Sequence, residues 1–436
     1  MDEPLDNVSV DLRQVLFEIA SALDAVGIDD INHGHRVAYI AYQCAKRMGW
    51  EEEQAQIAFS LGLIHDCGVS QSNERSYLFK SMAPENTKKH CIKGYGLLSA
   101  CPPLAGLALP VLYHHTWWEQ LSGETRASED DKLLAGLLFI SDRVDYLYSR
   151  FYPDQYGNIT ENNKKSIIGE LTANAGILFE PNMVQHMCEL IDNDDFWFSM
   201  ESRYIETMAS RFPSVPFFSS RLGLEDTIAV AEFFAQIVDA KSTFTFQHSR
   251  HVAELTSFLG KQLGYSTKAQ RMLYLAGLVH DIGKLKTPVA VLHKPAELTD
   301  EEYACIKRHA TDTRHALTNM FRSSQVIDWA SNHHERLDGS GYPLGKTAKD
   351  LDQPSRIVAI ADVFQALTQS RPYRQGVSLE ETMQILQELV DESKLDSVVF
   401  ECLMENDLEC YQISTGHPAI EKALSLIHIS EPTRLR

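Results

Sequence analysis

Apolar side chains recur at three- and four-residue steps along most of the chain. In VAYIAYQCAKRM (37–48) and VAELTSFLGKQL (252–263) they gather on one side of a 3.6-residue period, the pattern of amphipathic helices. Alternating runs of β-branched residues are nearly absent, so the expected fold class is all-α. No apolar stretch approaches the roughly 18 residues that a membrane span needs. The acidic start, MDEPLDNVSVDLR, lacks the basic residues and apolar core of a secretory signal. These patterns lead to the expectation of a cytoplasmic protein.

The helical pattern is written twice. HGHRVAYIAYQCAKRMGW (33–50) aligns with HSRHVAELTSFLGKQLGY (248–265) at an offset of 215, and the same offset brings LGLIHDCG (61–68) onto AGLVHDIG (276–283). Past small insertions, His90 meets His309, His114-His115 meets His333-His334, and ISD (140–142) meets IAD (360–362). In each half the lone histidine precedes the pair by 24 residues. A repeat of this length points to two copies of one helical domain, in keeping with a 436-residue chain too long for one ordinary core. Pro213, Pro216 and Gly223 punctuate the joint, and the expected domains are 1–222 and 223–423. From about Leu424 the run LSLIHISEPTRLR fits no periodic element; residues 424–436 are read as a vector- or adapter-derived tail.

Composition narrows the chemistry. The formal charge of −20 disfavours binding to a nucleic-acid duplex, which relies on Lys and Arg displacing counterions. An anionic substrate then requires a concentrated local positive charge, such as a metal cluster. The eight cysteines form no CxxC pair, which suits reduced thiols and argues against a zinc ribbon.

The C-terminal copy carries His248, His280-Asp281, His309, His333-His334 and Asp362 on successive predicted helices. Five imidazoles and two carboxylates suffice for two divalent transition metals, with Asp281 bridging them. Iron or manganese is favoured by the mixed donor set, with nickel, zinc and cobalt as alternatives. A histidine pair on a helix points about 100° apart, so it serves two ions only if both sit close to that helix. A single buried histidine is more often a core residue than a ligand, but packing alone does not reproduce one ordered pattern twice. In HHERLDGSGYP (333–343), Gly339 and Gly341 are expected to adopt conformations closed to other residues, with Pro343 stiffening the exit.

HSRHV, HDIGK, KPAELTDEE, HHERLDGSGYP, IADVFQALT and RPYR, spanning about Leu224 to Arg374, together resemble the HD-GYP family, a branch of the HD superfamily of metal-dependent phosphohydrolases. The resemblance implies an all-helical domain that uses two or three metal ions to hydrolyse cyclic di-GMP or cyclic GMP-AMP. It makes His248, His280, Asp281, His309, His333, His334 and Asp362 the metal ligands, and Lys284 the contact to the scissile phosphate. Arg371, Arg374 and the Gly341-Tyr342-Pro343 turn fall on the substrate side. Phe244 stands where three-metal members have a glutamate, so two ions are expected. Ala310 and Thr313 replace a proline and glycine common in the family.

The implied mechanism is water activated by the metal pair attacking phosphorus in line with a departing ribose 3′-oxygen. Asp281 helps hold that pair, and Lys284, read as one helical turn beyond His280, binds a non-bridging oxygen. Arg371 and Arg374 clamp the second phosphate or a base edge, and Asp338 is expected to orient a ligand histidine.

The N-terminal copy retains His33, His65, Asp66, His90, His114, His115 and Asp142, so a second metal site is plausible there. Val69 replaces Lys284, and HHTWWEQLSGE, with Trp117 and Trp118, replaces HHERLDGSGYP. This copy is expected to turn over poorly, serving to regulate, to brace or to bind nucleotide; a decayed duplicate kept for packing stays open. Among whole-chain alternatives are another HD-type nucleotide phosphohydrolase and a cyclic-dinucleotide-binding scaffold. The partners considered are a cyclic dinucleotide, a second copy of the chain, and a diguanylate cyclase or related signalling protein. A divergent HD copy before an HD-GYP copy, without a receiver domain, resembles the subgroup acting on cyclic GMP-AMP, which favours that substrate over cyclic di-GMP.

Overall fold

The computed structural model describes residues 8, 10–26, 32–69, 81–84, 86–151, 159–219, 222–241, 247–292, 294, 296–370 and 375–416. Among these the regular elements are helices, and extended pairing is confined to isolated bridges such as Asp338 with Thr347. The all-α expectation holds. The chain divides into two units. Val8–Lys241 group as one, together with the short Asn319–Arg322 stretch, and the rest of the chain from Ser242 forms the other. The helix Leu224–Lys241, placed by the sequence reading in the second domain, therefore groups with the first unit. The proposed tail at 424–436, Phe244, Arg371 and Arg374 lie outside the described residues.

The two units repeat the same helical plan. His33–Arg47, Glu52–Ile64, Lys88–Ser99, Ala108–Tyr113 and Glu129–Phe151 correspond to His248–Gln262, Thr267–Val279, Asp300–Met320, Ser324–Ser331 and Gln353–Thr368. Local chemistry fixes several starts. Ser266 accepts a hydrogen bond from the Ala269 amide, and Asp352 accepts one from Ser355, with Pro354 in the first turn. In the second unit, His248–Gln262 buries Val252, Leu255 and Leu259, while Thr267–Val279 buries Met272, Leu273 and Leu275. Each such large side chain contributes about 1.5–3 kcal/mol through burial. Thr256 in the first of these helices donates to the Leu273 carbonyl in the second at 2.9 Å, which fixes their register. This packing brings the start of one helix against the end of the next, where the site residues sit.

Candidate metal centres

The structure places the ligand-type residues at helix ends more than along helix faces. His248 opens its helix, and His280 follows the last residue of Thr267–Val279, with Asp281 in the turn beyond. His333 and His334 lie in the turn after Ser324–Ser331, so the pair is not splayed on a helix as the sequence reading had it. His309 and Asp362 project from within long helices. All seven converge.

Asp281 occupies the middle of this cluster. Its Oδ2 lies 3.3 Å from Nε2 of both His248 and His280, and its Oδ1 lies 3.5 Å from His309 and 3.7 Å from His333. One carboxylate oxygen thus faces each histidine pair. Asp362 adds Oδ1 near His248 at 3.4 Å and His280 at 3.6 Å, with Oδ2 4.0 Å from His334.

The donor chemistry fits a pair of cations. His309 and His333 donate Nδ1–H to the Ile306 and Ala330 carbonyls at 2.5 and 2.7 Å. Each neutral ring therefore presents a lone pair at Nε2, and these two atoms face each other at 3.2 Å. Two lone pairs cannot hydrogen-bond, whereas a cation satisfies both. His248 and His280 share the Nδ1 pattern, donating to Gln365 and to the Gly277 carbonyl, with their Nε2 atoms 3.2 Å apart beside Asp281. Asp281 Oδ1, though buried, accepts no hydrogen bond.

Electrostatics agree. Burial drives His333 well below its ordinary pKa, His334 and His280 adding to the effect, and it takes His334 down to about 3 despite Asp362. These rings are neutral and ready to ligate. Burial also lowers His280, but Asp281 and Asp362 outweigh it and hold that ring up at about 10. The two carboxylates demand positive charge in this half of the site, which a divalent ion supplies.

Several further residues build the frame. Gly283, just past the His-Asp pair, lies so near the third helix that an added Cβ would meet the His309 carbonyl at 2.0 Å. Thr313 latches this contact: its hydroxyl accepts from the Gly283 amide at 2.9 Å and donates to the His280 carbonyl at 3.0 Å. Glu335 is buried and accepts from the Leu344 and Lys346 amides at 2.8 Å each, which folds the segment after the paired histidines into a loop. The Tyr342 amide donates back to the His334 carbonyl at 3.1 Å, and its ring lies 4.7 Å from the His334 ring. Sequence reasoning missed Thr313 as a latch, Glu335, and Gln365 as the acceptor for His248. Only Gln365 left a signal, three residues after Asp362 on the same helix face.

Three expectations change. Asp338 does not orient a ligand histidine; it is taken up with the Ser340 amide and hydroxyl at 2.9 and 2.7 Å. Lys284 does not continue the helix of His280. It lies in the separate 3-10 turn Ile282–Lys286, and its ammonium pairs with Asp281. Of the two glycines, only Gly339 takes the left-handed conformation, at φ 83°. Gly341 is required by space instead, because a Cβ would meet the Arg336 nitrogen at 2.4 Å and Glu335 Cα at 2.5 Å.

The N-terminal copy assembles the same constellation. Asp66 places Oδ2 3.7 Å from His65 and 4.0 Å from His33, and Oδ1 3.7 Å from His90 and 3.9 Å from His114. Asp142 Oδ1 lies 3.7 Å from His33, and its Oδ2 lies 3.9 Å from His115. Two features differ. His33 donates to Asp145, itself clamped by Arg36, where the other copy uses Gln365. Buried Arg143 donates to Asp142 Oδ2 at 2.6 Å, at the position of Val363 in the other copy.

Profiles of the HD domain match residues 30–147 and 232–399. The 3'3'-cGAMP-specific phosphodiesterase 1 of Vibrio cholerae is 51% identical to this chain over 415 residues, covering 95% of this chain and 96% of the relative. The chain belongs to the HD-domain phosphodiesterase family. A second Vibrio cholerae relative, 3'3'-cGAMP-specific phosphodiesterase 3, is 31% identical over 61% of this chain and 54% of its own length. The cyclic di-GMP phosphodiesterase PA4108 of Pseudomonas aeruginosa is 37% identical over 33% of this chain and 35% of its own. The crystal structure of the cyclic GMP-AMP-specific phosphodiesterase V-cGAP3 of V. cholerae shares the fold, with a TM-score of 0.60 at 21% identity, covering 91% of this chain and 97% of that one. This family is metal-dependent, and both of its HD copies here hold clusters of His and Asp able to bind metal.

Proposed function

We propose that the C-terminal copy hydrolyses a cyclic dinucleotide to a linear dinucleotide, with 3′,3′-cyclic GMP-AMP preferred over cyclic di-GMP. The observation that carries the chemistry is Asp281, one oxygen toward each histidine pair and Lys284 against its edge. His248, His280, Asp281 and Asp362 would hold one ion, and His309, His333, His334 and the second Asp281 oxygen the other. Iron or manganese suits this mixture of imidazole and carboxylate. Bound divalent ions supply an activated water near neutral pH and neutralise charge on the phosphoryl oxygens. The chain's own groups do the rest. Lys284, with 28% of its side chain exposed, stands beside the Asp281 carboxylate, where its ammonium would receive a non-bridging phosphoryl oxygen. Gln365 and the Gly277, Ile306 and Ala330 carbonyls hold the imidazoles in one tautomer. Tyr342 covers the His334 ring and bounds the substrate side. The substrate preference is supported by the 51% identical relative, whose name specifies 3'3'-cGAMP.

The N-terminal copy binds metal without efficient turnover in this reading. Val69 offers no cation beside Asp66, and Arg143 already occupies one oxygen of Asp142. The test is turnover of both cyclic dinucleotides by metal-free protein reloaded with Fe²⁺ or Mn²⁺. Faster hydrolysis of cyclic GMP-AMP, abolished by chelation, is the expected result; equal rates or a preference for cyclic di-GMP would overturn the substrate assignment.

A further inference from the structure

The N-terminal centre differs from its C-terminal counterpart in its approaches. There is no glycine-tyrosine-proline turn over the paired histidines. In its place Trp118 turns inward, onto the cluster of Tyr113, Leu121, Ala127 and Ala135, and leaves Trp117 38% exposed. A cleft of about 1190 Å³ opens beside it, lined by Lys88, Lys89, Tyr113 and Trp117 and reaching His90 and His115. That volume leaves room for a nucleotide, being above the roughly 300–1,000 Å³ typical of small-molecule sites. His115 is 9% exposed, and neither of its ring nitrogens has a hydrogen-bond partner. Lys88 and Lys89 are exposed and form no ion pair among the described residues, while Arg126 on the same wall is already paired with Glu124 at 2.9 Å.

We infer that the N-terminal copy is a second, non-hydrolytic nucleotide site, taking a phosphate between the His90–His115 end and Lys88-Lys89 and a base against Trp117. This rests on the reading of that copy as metal-binding but poorly catalytic. The cleft supplies a π-face for the base and two exposed ammonium groups for the phosphate, and it reaches the Asp66, His90, His114 and His115 cluster able to hold a metal ion. The ligand is a phosphate-bearing purine nucleotide, and its two available sources are the cyclic substrate and a linear product.

Equilibrium dialysis of metal-loaded full-length protein with 3′,3′-cyclic GMP-AMP and, separately, GMP tests the assignment. His280→Ala, Asp281→Ala protein is used so that the C-terminal site contributes nothing. One equivalent of nucleotide is expected to bind with quenching of tryptophan emission, and adding Lys88→Glu, Lys89→Glu is expected to weaken it about tenfold or more. Uptake of the cyclic probe alone would assign the substrate as ligand, and uptake of GMP alone a linear monoester. No uptake of either, or uptake unmoved by both the charge reversal and Trp117→Ala, overturns the inference. If the C-terminal double variant loses its helical circular dichroism, wild-type protein gives the same readout as two equivalents falling to one in Lys88→Glu, Lys89→Glu. Failure of the C-terminal assignment would appear separately, as absence of turnover in wild type.

Discussion

Thr313→Val removes one hydroxyl and keeps the shape. In the native protein that hydroxyl joins the Gly283 amide, at 2.9 Å, to the His280 carbonyl, at 3.0 Å, and Thr313 is fully buried. Valine offers neither group a partner, and water has no route into a position with 0% exposure. Each buried polar group left unsatisfied costs about 1–3 kcal/mol, so the pair costs about 2–6 kcal/mol. For a unit of this size that corresponds to a fall in melting temperature of roughly 4–24 °C. Because the same two groups flank Asp281, the turn that presents this carboxylate also loosens, and metal affinity is expected to fall with stability. Urea unfolding followed by circular dichroism, with metal content read by mass spectrometry, measures both. Thr313→Ser, which keeps the hydroxyl, is expected to stay within about 1 kcal/mol of wild type, as methyl loss costs little beside the bonds. A Thr313→Val protein within about 0.5 kcal/mol of wild type and with full metal content would refute the latch.

Lys284→Ala should lower kcat by roughly 10²–10³ while metal content is unchanged, because the ammonium acts on developing phosphoryl charge; loss of metal along with rate would mean that Lys284 only supports Asp281. Gly341→Ala forces a Cβ to within 2.5 Å of Glu335 Cα, so the loop must move and Tyr342 leaves the His334 ring. That overpacking should cost about 1–3 kcal/mol in chemical denaturation and reduce turnover, and an unaffected enzyme would show that the loop has room to spare. Stripping metal with a chelator should lower the melting temperature, since an ion present at about 1,000 times its Kd contributes about 4 kcal/mol to the folded state. An unshifted melting curve in differential scanning calorimetry would contradict metal binding by the folded clusters.

Much of this was legible in the chain itself. The 3.6-residue apolar period gave the helices, and the histidine and aspartate spacing, repeated in both halves, marked the residues that the fold brings together. What escaped lies in contacts between segments far apart in sequence. Thr313 acts across 30 residues on Gly283, a pairing that leaves no local pattern, and Gln365 acts across 117 residues on His248, marked in the sequence only by its place three residues after Asp362. Glu335 looked like an ordinary acidic residue in HHERLDGSGYP, yet burial turns it into the acceptor that folds the loop. Asp338 misled in the opposite direction, as its short side chain satisfied a nearby turn before reaching any histidine. Helix ends were also misplaced. The pairs His280-Asp281 and His333-His334 sit just past helices whose apolar period runs up to them without a glycine or proline stop.

The most direct test of the central assignment is a side-by-side rate measurement on cyclic GMP-AMP with metal-loaded wild type, His280→Ala, Asp281→Ala protein and His65→Ala, Asp66→Ala protein. The account predicts hydrolysis lost in the C-terminal variant and substantially retained in the N-terminal one, each protein still folded by circular dichroism. Loss confined to the N-terminal variant, with the C-terminal variant as active as wild type, would contradict it.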